Sequence, residues 1–183
     1  MTLRAPVCVP VYRQWATLLN DEQILIRPAD PGDRDALKAF FGRLGPETRF
    51  LRFHYTKTTV SDEEISTYCD CDYDGTFAIV AEMSRGGSND IVGVARYDRL
   101  PAGDCAEVAF LVEDKEQGNG IGTHLVRELS EVARERGMDT LIAETTTYNQ
   151  IMLSIFRKYD KTLKREVDGE SCKVTYKAQS KKL

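Results

Sequence analysis

The residues with the clearest chemical consequence are Gln117-Gly118-Asn119-Gly120-Ile121-Gly122, with three glycines at alternate positions. An apolar strand precedes them and an amphipathic helix follows. A glycine turn that opens a helix presents main-chain N–H groups and the positive end of the helix dipole to an anion. Two familiar phosphate motifs are excluded. A Walker loop ends in Gly-Lys-Ser/Thr, whereas Gly122-Thr123-His124 supplies no lysine. A dinucleotide fingerprint counted from Gly118 needs glycine at its sixth position, which is Thr123. The second candidate is Glu107, an ionisable side chain within Ala106-Glu107-Val108-Ala109-Phe110-Leu111-Val112. In such an apolar run a carboxylate needs a reason. Two readings stand: a general base whose pKa is raised by desolvation, or a charge at the wet end of a strand. Glu144 is the backup base, and Asp98 reads as a surface strand residue. Cys69-Asp70-Cys71 lacks the two-residue spacer of zinc and redox pairs and has no neighbouring histidine. Free thiols and no metal are expected there.

Strands and helices must position these groups. Gln23–Arg27 alternates as a strand, and Asp30-Pro31 supplies a cap and a first-turn proline for a helix closed by Gly45-Pro46. A second short helix is predicted over Glu47–Phe53, and the capping box Ser61-Asp62-Glu63-Glu64 opens a third that runs to Tyr68. Thr76–Met83 and Ile91–Leu100 form a hairpin, and Cys105–Val112 is a further strand. The helix after the glycine turn runs to Arg136, with Ile121, Leu125, Leu129, Val132 and Ala133 on its apolar face and Glu128, Glu131 and Arg134 elsewhere. Asp139–Thr145 is a strand, Asn149–Tyr159 a helix, and Leu163–Val167 with Cys172–Lys177 a last hairpin. The expected class is α/β in the α+β sense, one domain over residues 21–183 after an N-terminal extension, 1–20, without clear period.

Composition bounds the function classes. The 183 residues carry 25 Lys+Arg against 29 Asp+Glu, 42% hydrophobic residues and five cysteines. The longest apolar runs, Phe77–Ala81 and Val108–Val112, are too short to span a bilayer, and Ala5–Val11 is broken by Pro6 and Pro10, so neither membrane nor signal peptide is expected. The odd cysteine count points to a reducing, cytoplasmic setting. Seven basic and three acidic residues follow Asp160, a net +4, which leaves −8 on the residues before it. An acidic body suits a basic substrate and argues against nucleic acid, as does the lack of a basic stripe interleaved with aromatics.

The pattern Gln117-x-x-Gly120-x-Gly122 resembles the pyrophosphate-binding motif of the GNAT superfamily of acyl-CoA-dependent N-acyltransferases. Asn149-Gln150-Ile151-Met152-Leu153-Ser154-Ile155-Phe156 looks like that family's second CoA-facing helix. Ile26-Arg27-Pro28-Ala29-Asp30, Pro46-Glu47-Thr48-Arg49-Phe50-Leu51-Arg52-Phe53 and Ala106–Phe110 look like Pat-type bacterial protein lysine acetyltransferases. The resemblance implies a mixed, mostly antiparallel sheet splayed between its fourth and fifth strands, with helices on both faces. It implies acetyl-CoA as acyl donor, held by Phe110, Leu111, Val112, Gln117, Gly118, Asn119, Gly120, Ile121, Gly122, Thr123, Asn149 and Phe156. A free N–H in the splay polarises the thioester carbonyl, and an amine attacks directly with Glu107 as general base. The acceptor is a protein lysine or a small amine; a non-catalytic acyl-CoA sensor is the third reading, because the family's general-acid Tyr position is Phe156. Tyr159 reads as packing. His124 is read as exposed or phosphate-facing, and His54 as cleft-lining or capping. Monomer and dimer both stay open.

Overall fold

The computed structural model describes residues 12–53 and 60–179, with only the main chain at Arg52 and Phe53. His54 and Cys8 lie outside the described residues. Eight strands form one sheet: β1 (Gln14–Thr17), β2 (Gln23–Pro28), β3 (Thr76–Arg85), β4 (Ser88–Arg99), β5 (Cys105–Val112), β6 (Thr140–Thr146), β7 (Lys164–Asp168) and β8 (Ser171–Lys177). Their order is β1-β2-β3-β4-β5-β6-β8-β7. Every neighbouring pair is antiparallel except β5 and β6, which run parallel. That parallel pair is the one counted from sequence as fourth and fifth. The numbering shifts by one because Gln14–Thr17, within the aperiodic extension, pairs with β2 as an edge strand. Four residues without a strong pattern gave no signal of it.

The helices are α1 (Arg34–Arg43), α2 (Pro46–Phe53), α3 (Asp62–Cys69), α4 (Ile121–Glu135) and α5 (Gln150–Tyr159). The Asp30 cap opens a 3-10 turn, Pro31–Asp33, that leads into α1. Buried residues run without interruption from Ile91 to Ala95 in β4, so the sheet is covered on both faces. A side chain at Gly93 would strike Leu125 and Ile121 of α4, whereas Arg96, of opposite parity, lies over the Tyr68 ring of α3. Helices therefore flank the sheet on two sides. Glu128, placed by sequence off the apolar face of α4, is buried there. A helix enclosed between the sheet and α5 leaves only a narrow exposed stripe, and position 128 is outside it.

The Pat-like segments owe part of their residue choice to folding. Arg27 makes a two-bonded pair with Asp33 (2.6 and 2.8 Å) and meets Glu82 at 2.6 Å, tying β2 and β3 to the start of α1. The bond to Asp33 raises the guanidinium pKa further, against the opposing pull of burial. Arg49 of α2 donates to the carbonyls of Phe41 and Gly42, satisfying the open end of α1. Cys69 and Cys71 are buried, and burial pushes the Cys69 thiol up to about 11. The Cys71 thiol donates to the Thr67 and Tyr68 carbonyls of α3.

Asp160 ends α5 and fastens it to the last hairpin. Its Oδ1 accepts from the Thr162 N–H (2.8 Å) and hydroxyl (2.7 Å), and its Oδ2 accepts from the Lys177 N–H (2.9 Å). Burial works to raise this carboxyl's pKa, but the donors outweigh it and hold it below the ordinary value. A depressed folded-state pKa stabilises the fold above the unfolded-state value near ~4, and that contribution is lost as pH falls through the folded value. In urea unfolding at pH 7, Asp160→Ala is expected to cost about 1–3 kcal/mol. The gap between wild type and variant should close as the pH drops below about 4.

Candidate functional site

The register of β5 creates the site. Its main-chain groups alternate between β4 and β6. The bonds from the Leu100 N–H to the Cys105 carbonyl and from the Glu113 N–H to the Val92 carbonyl assign the odd-numbered residues to β4. Even-numbered residues therefore address β6. The β5–β6 register ends at Val108↔Ala143, while β5 stays paired with β4 as far as Val112. The N–H groups of Phe110 and Val112 consequently point into a gap between diverging strands. A cleft of about 680 Å³ opens there and reaches both faces of the sheet.

On the α4 side the cleft ends at the glycine turn. Gly118 and Gly120 have φ of +84° and +100°, the left-handed region that L side chains resist. Gly122 lies in the first turn of α4 under α5, where an added Cβ would lie 3.0 Å from Ile155 Cδ1. These glycines keep the main chain open to an anion at the positive end of a fifteen-residue helix. The Gln117 amide donates to Thr48 Oγ1 (3.1 Å) and to the Val112 carbonyl (3.2 Å), so this side chain joins the turn to α2 and the strand end. Beside it Asp114 accepts from Thr48 and from the Gly45 N–H, both at 2.8 Å. Glu113, 1% exposed, is held by Arg43 and Arg85.

Eleven of the twelve residues expected to hold the acyl donor line the cleft: Phe110 through Val112, Gln117, Gly118, Gly120 through Thr123, Asn149 and Phe156. Asn119 is not part of its wall; its carbonyl accepts from the Leu19 N–H on the outer side of the turn. Asn149 caps α5 by accepting from the Met152 N–H and donates to Thr145. Phe156 is buried between Phe110 and Tyr176, with ring centroids 5.9 and 5.1 Å away. Tyr159 packs edge-on to Tyr176. His124 is partly exposed in the first turn of α4 and does not line the cleft.

On the opposite face the cleft is acidic. Glu107 is directly opposite Asp98 in β4 and Ile142 in β6, and Glu144 follows two residues after Ile142. Paired residues and residues two apart share a face, so Asp98, Glu107 and Glu144 project to one side, and all three line the cleft. Glu107 is exposed between buried Ala106 and Val108. The burial on which the desolvation argument depended is therefore absent; strand alternation places this carboxylate in water. Asp98 is more than a surface residue, because it pairs with Arg96 at the cleft wall. Ile151, Ser154 and Ile155, within the segment read as a CoA-facing helix, line the cleft; Thr48 and Leu51 of α2, Lys158 of α5 and Leu19 also line it and were missed. The α5 residues recur at helical spacing from Ile151 and were accessible to periodicity. Leu19 comes from the β1–β2 turn and carried no local signal.

Residues 46–160 match the family described as Acetyltransferase (GNAT) family. An acetyltransferase of Pseudomonas aeruginosa is 32% identical over 139 residues, 75% of each chain. Among solved structures, the GNAT domain of S. lividans PAT superposes with a TM-score of 0.81 at 25% identity, covering 90% of this chain and 96% of that one. A cAMP-binding acyltransferase from Mycobacterium smegmatis superposes with a TM-score of 0.62 at 23% identity, covering 92% of this chain and 48% of that one. This last likeness concerns the fold. The chain belongs to the GNAT family and is an acyl-CoA-dependent N-acetyltransferase. Among the described residues no three His, Cys, Asp or Glu side chains gather as a metal site would need, and no helix is long and apolar enough to cross a membrane.

If the glycine turn carries the pyrophosphate of acetyl-CoA, strain at Gly120 should be read out in donor binding. Gly120→Ala places a Cβ at φ +100°, a cost of about 1–2 kcal/mol. We expect calorimetry to show roughly tenfold weaker CoA binding, the equivalent of that cost. Gly137→Ala, at φ +80° beyond the far end of α4, should lower thermal stability with CoA affinity unchanged within about twofold.

Proposed function

We propose, starting from membership of the GNAT family, that this protein acetylates lysine side chains of proteins in the manner of Pat-type enzymes, with Glu107 as general base, in a cytoplasmic setting. The observation that carries the proposal is the trio Asp98, Glu107 and Glu144 on the acceptor face of an open cleft. Three carboxylates there attract a cationic amine. An exposed acceptor face admits a side chain presented by a protein surface.

Acetyl-CoA brings the acyl group as a thioester, and the chain's residues orient it and manage protons. Gly118, Gly120 and the first turn of α4 hold the pyrophosphate, and Asn149 and Phe156 line the pantetheine channel. The Phe110 N–H, left without a register partner by the splay, donates to the thioester oxygen, where negative charge develops during attack. The acceptor ammonium must lose a proton first, since its ordinary pKa is near ~10.4. Glu107, three residues from Phe110 and directed to the acceptor side, takes that proton directly or through one water. The departing CoA thiolate, with an ordinary thiol pKa near ~8.5, needs no strong acid, which accords with Phe156 at the position of the family's tyrosine.

The test combines a thiol-release assay with mass spectrometry of a lysate supplied with acetyl-CoA. Glu107→Gln should lower kcat/KM at least about 100-fold, the lower range for a lost general base, with CoA affinity unchanged. Unchanged turnover would sink the base assignment. Glu144→Lys should raise KM for a lysine peptide roughly three- to tenfold at low salt, and the effect should shrink as salt screens it. Acetylation of small amines with no modified protein lysine would replace the acceptor class.

A further inference from the structure

The glycine turn is supported from outside by the N-terminal segment, which lies beyond the residues 46–160 that match the family. The β1–β2 connection is a tight turn. The Leu18 N–H donates to the Glu22 carbonyl (2.8 Å), the Asp21 N–H donates to the Leu18 carbonyl (3.1 Å), and Asp21 takes φ +65°. The Asn20 side chain holds Glu22 at 2.6 Å. Leu18 anchors the turn in the core. Leu19 is different: its side chain is 81% exposed at the cleft rim, and its N–H donates to the Asn119 carbonyl at 3.0 Å. Burial of that side chain does not hold the two segments together. The main-chain bond does.

A peptide unit is planar and trans, so its C=O and its N–H point in opposite directions. Fixing the Asn119 carbonyl outward towards Leu19 therefore fixes the Gly120 N–H inward. That peptide joins two positions with few intrinsic restraints, since Gly118 and Gly120 are both left-handed and the intervening Asn119 carbonyl is free to swing in an isolated loop. Gly120 is also the residue before the first turn of α4. Its N–H thus adds to the row of donors at the helix start.

We propose that Leu19 is a positioning residue for the acyl-CoA site: its main-chain N–H locks the Asn119–Gly120 peptide so that the Gly120 N–H faces the pyrophosphate. The N-terminal segment is then part of the donor site. This rests on the assignment of the glycine turn to acyl-CoA.

Three arms test it. First, Leu19→Pro removes the donor and Leu19→Ala keeps it. Leu19→Pro should raise KM for acetyl-CoA roughly tenfold, the loss of one hydrogen bond to a charged oxygen, with kcat within about twofold. Leu19→Ala trims a cleft-rim side chain but keeps the donor, so it should raise KM for acetyl-CoA by less than about threefold, well short of Leu19→Pro. S-acetylpantetheine, which lacks the pyrophosphate, should be used equally well by all three proteins. Second, Asn20→Ala loosens the turn without a proline and should give the same pattern, reduced to about threefold. Third, hydrogen exchange on the wild-type protein should show the Leu19 amide protected. An equal loss in Leu19→Pro and Leu19→Ala would overturn the proposal, as would an equal loss with S-acetylpantetheine or a Leu19 amide exchanging at the free-peptide rate. Failure of the wild type to bind acetyl-CoA would instead overturn the assignment of the glycine turn.

Discussion

The structure depends on one interrupted ladder. β5 and β6 begin as a parallel pair and lose contact after Val108↔Ala143 because each is committed elsewhere. β5 follows β4 to Val112 and is fixed there by the bond from the Glu113 N–H to Val92, with the buried Glu113 carboxylate held by Arg43 and Arg85. β6 follows β8 to Thr146↔Ser171, and the Thr147 N–H then continues to the Glu170 carbonyl. With both strands tied to their outer neighbours, right-handed twist separates their ends. Unpaired main-chain groups normally carry a penalty. Here they are left as unpaired donors and acceptors along the cleft.

The two faces of the gap divide the work by parity. Even-numbered positions of β5 give main-chain groups to the gap and side chains to the α4 side, where Phe110 meets Phe156. Odd-numbered positions turn Glu107 to the opposite face. The glycine turn and the acidic trio are thus on opposite sides of one strand, separated by the sheet. An arrangement with both on one face would oppose the carboxylates to the phosphates. The Arg96–Asp98 pair moderates charge on this face while leaving Glu107 and Glu144 to set its sign.

Much of this was legible because local signals and tertiary structure agree. Cys105–Val112 reads as a strand from its composition, Ser61 to Glu64 as a capping box, and both are observed with those roles. The glycine turn was legible because left-handed geometry leaves few alternatives to glycine. What escaped is non-local. Glu107 in an apolar run suggests burial only if neighbours on the same strand share its surroundings, and in a sheet they do not. Asp98 gains its place in the cleft from pairing with Glu107 across β4 and β5, which no single segment contains. Leu19 meets Asn119 across a hundred residues of chain. β1 is recognisable only from its partner, β2.

Phe156 shows how packing constrains chemistry at the same site. An aromatic hydroxyl here would have to reach the thiolate while its ring filled the space between Phe110 and Tyr176. The phenylalanine ring is 1% exposed and contributes its area to the core. Tyr176 cannot substitute as a proton donor: it is outside the cleft wall, and burial pushes its phenol pKa further up. Tyr159 turns its hydroxyl away to Gln179. Acid assistance to the thiolate has little value when its own pKa is near ~8.5. The demanding proton is the one on the acceptor ammonium, about two pK units higher. Three of the four carboxylates that line the cleft, Asp98, Glu107 and Glu144, share the face opposite α4.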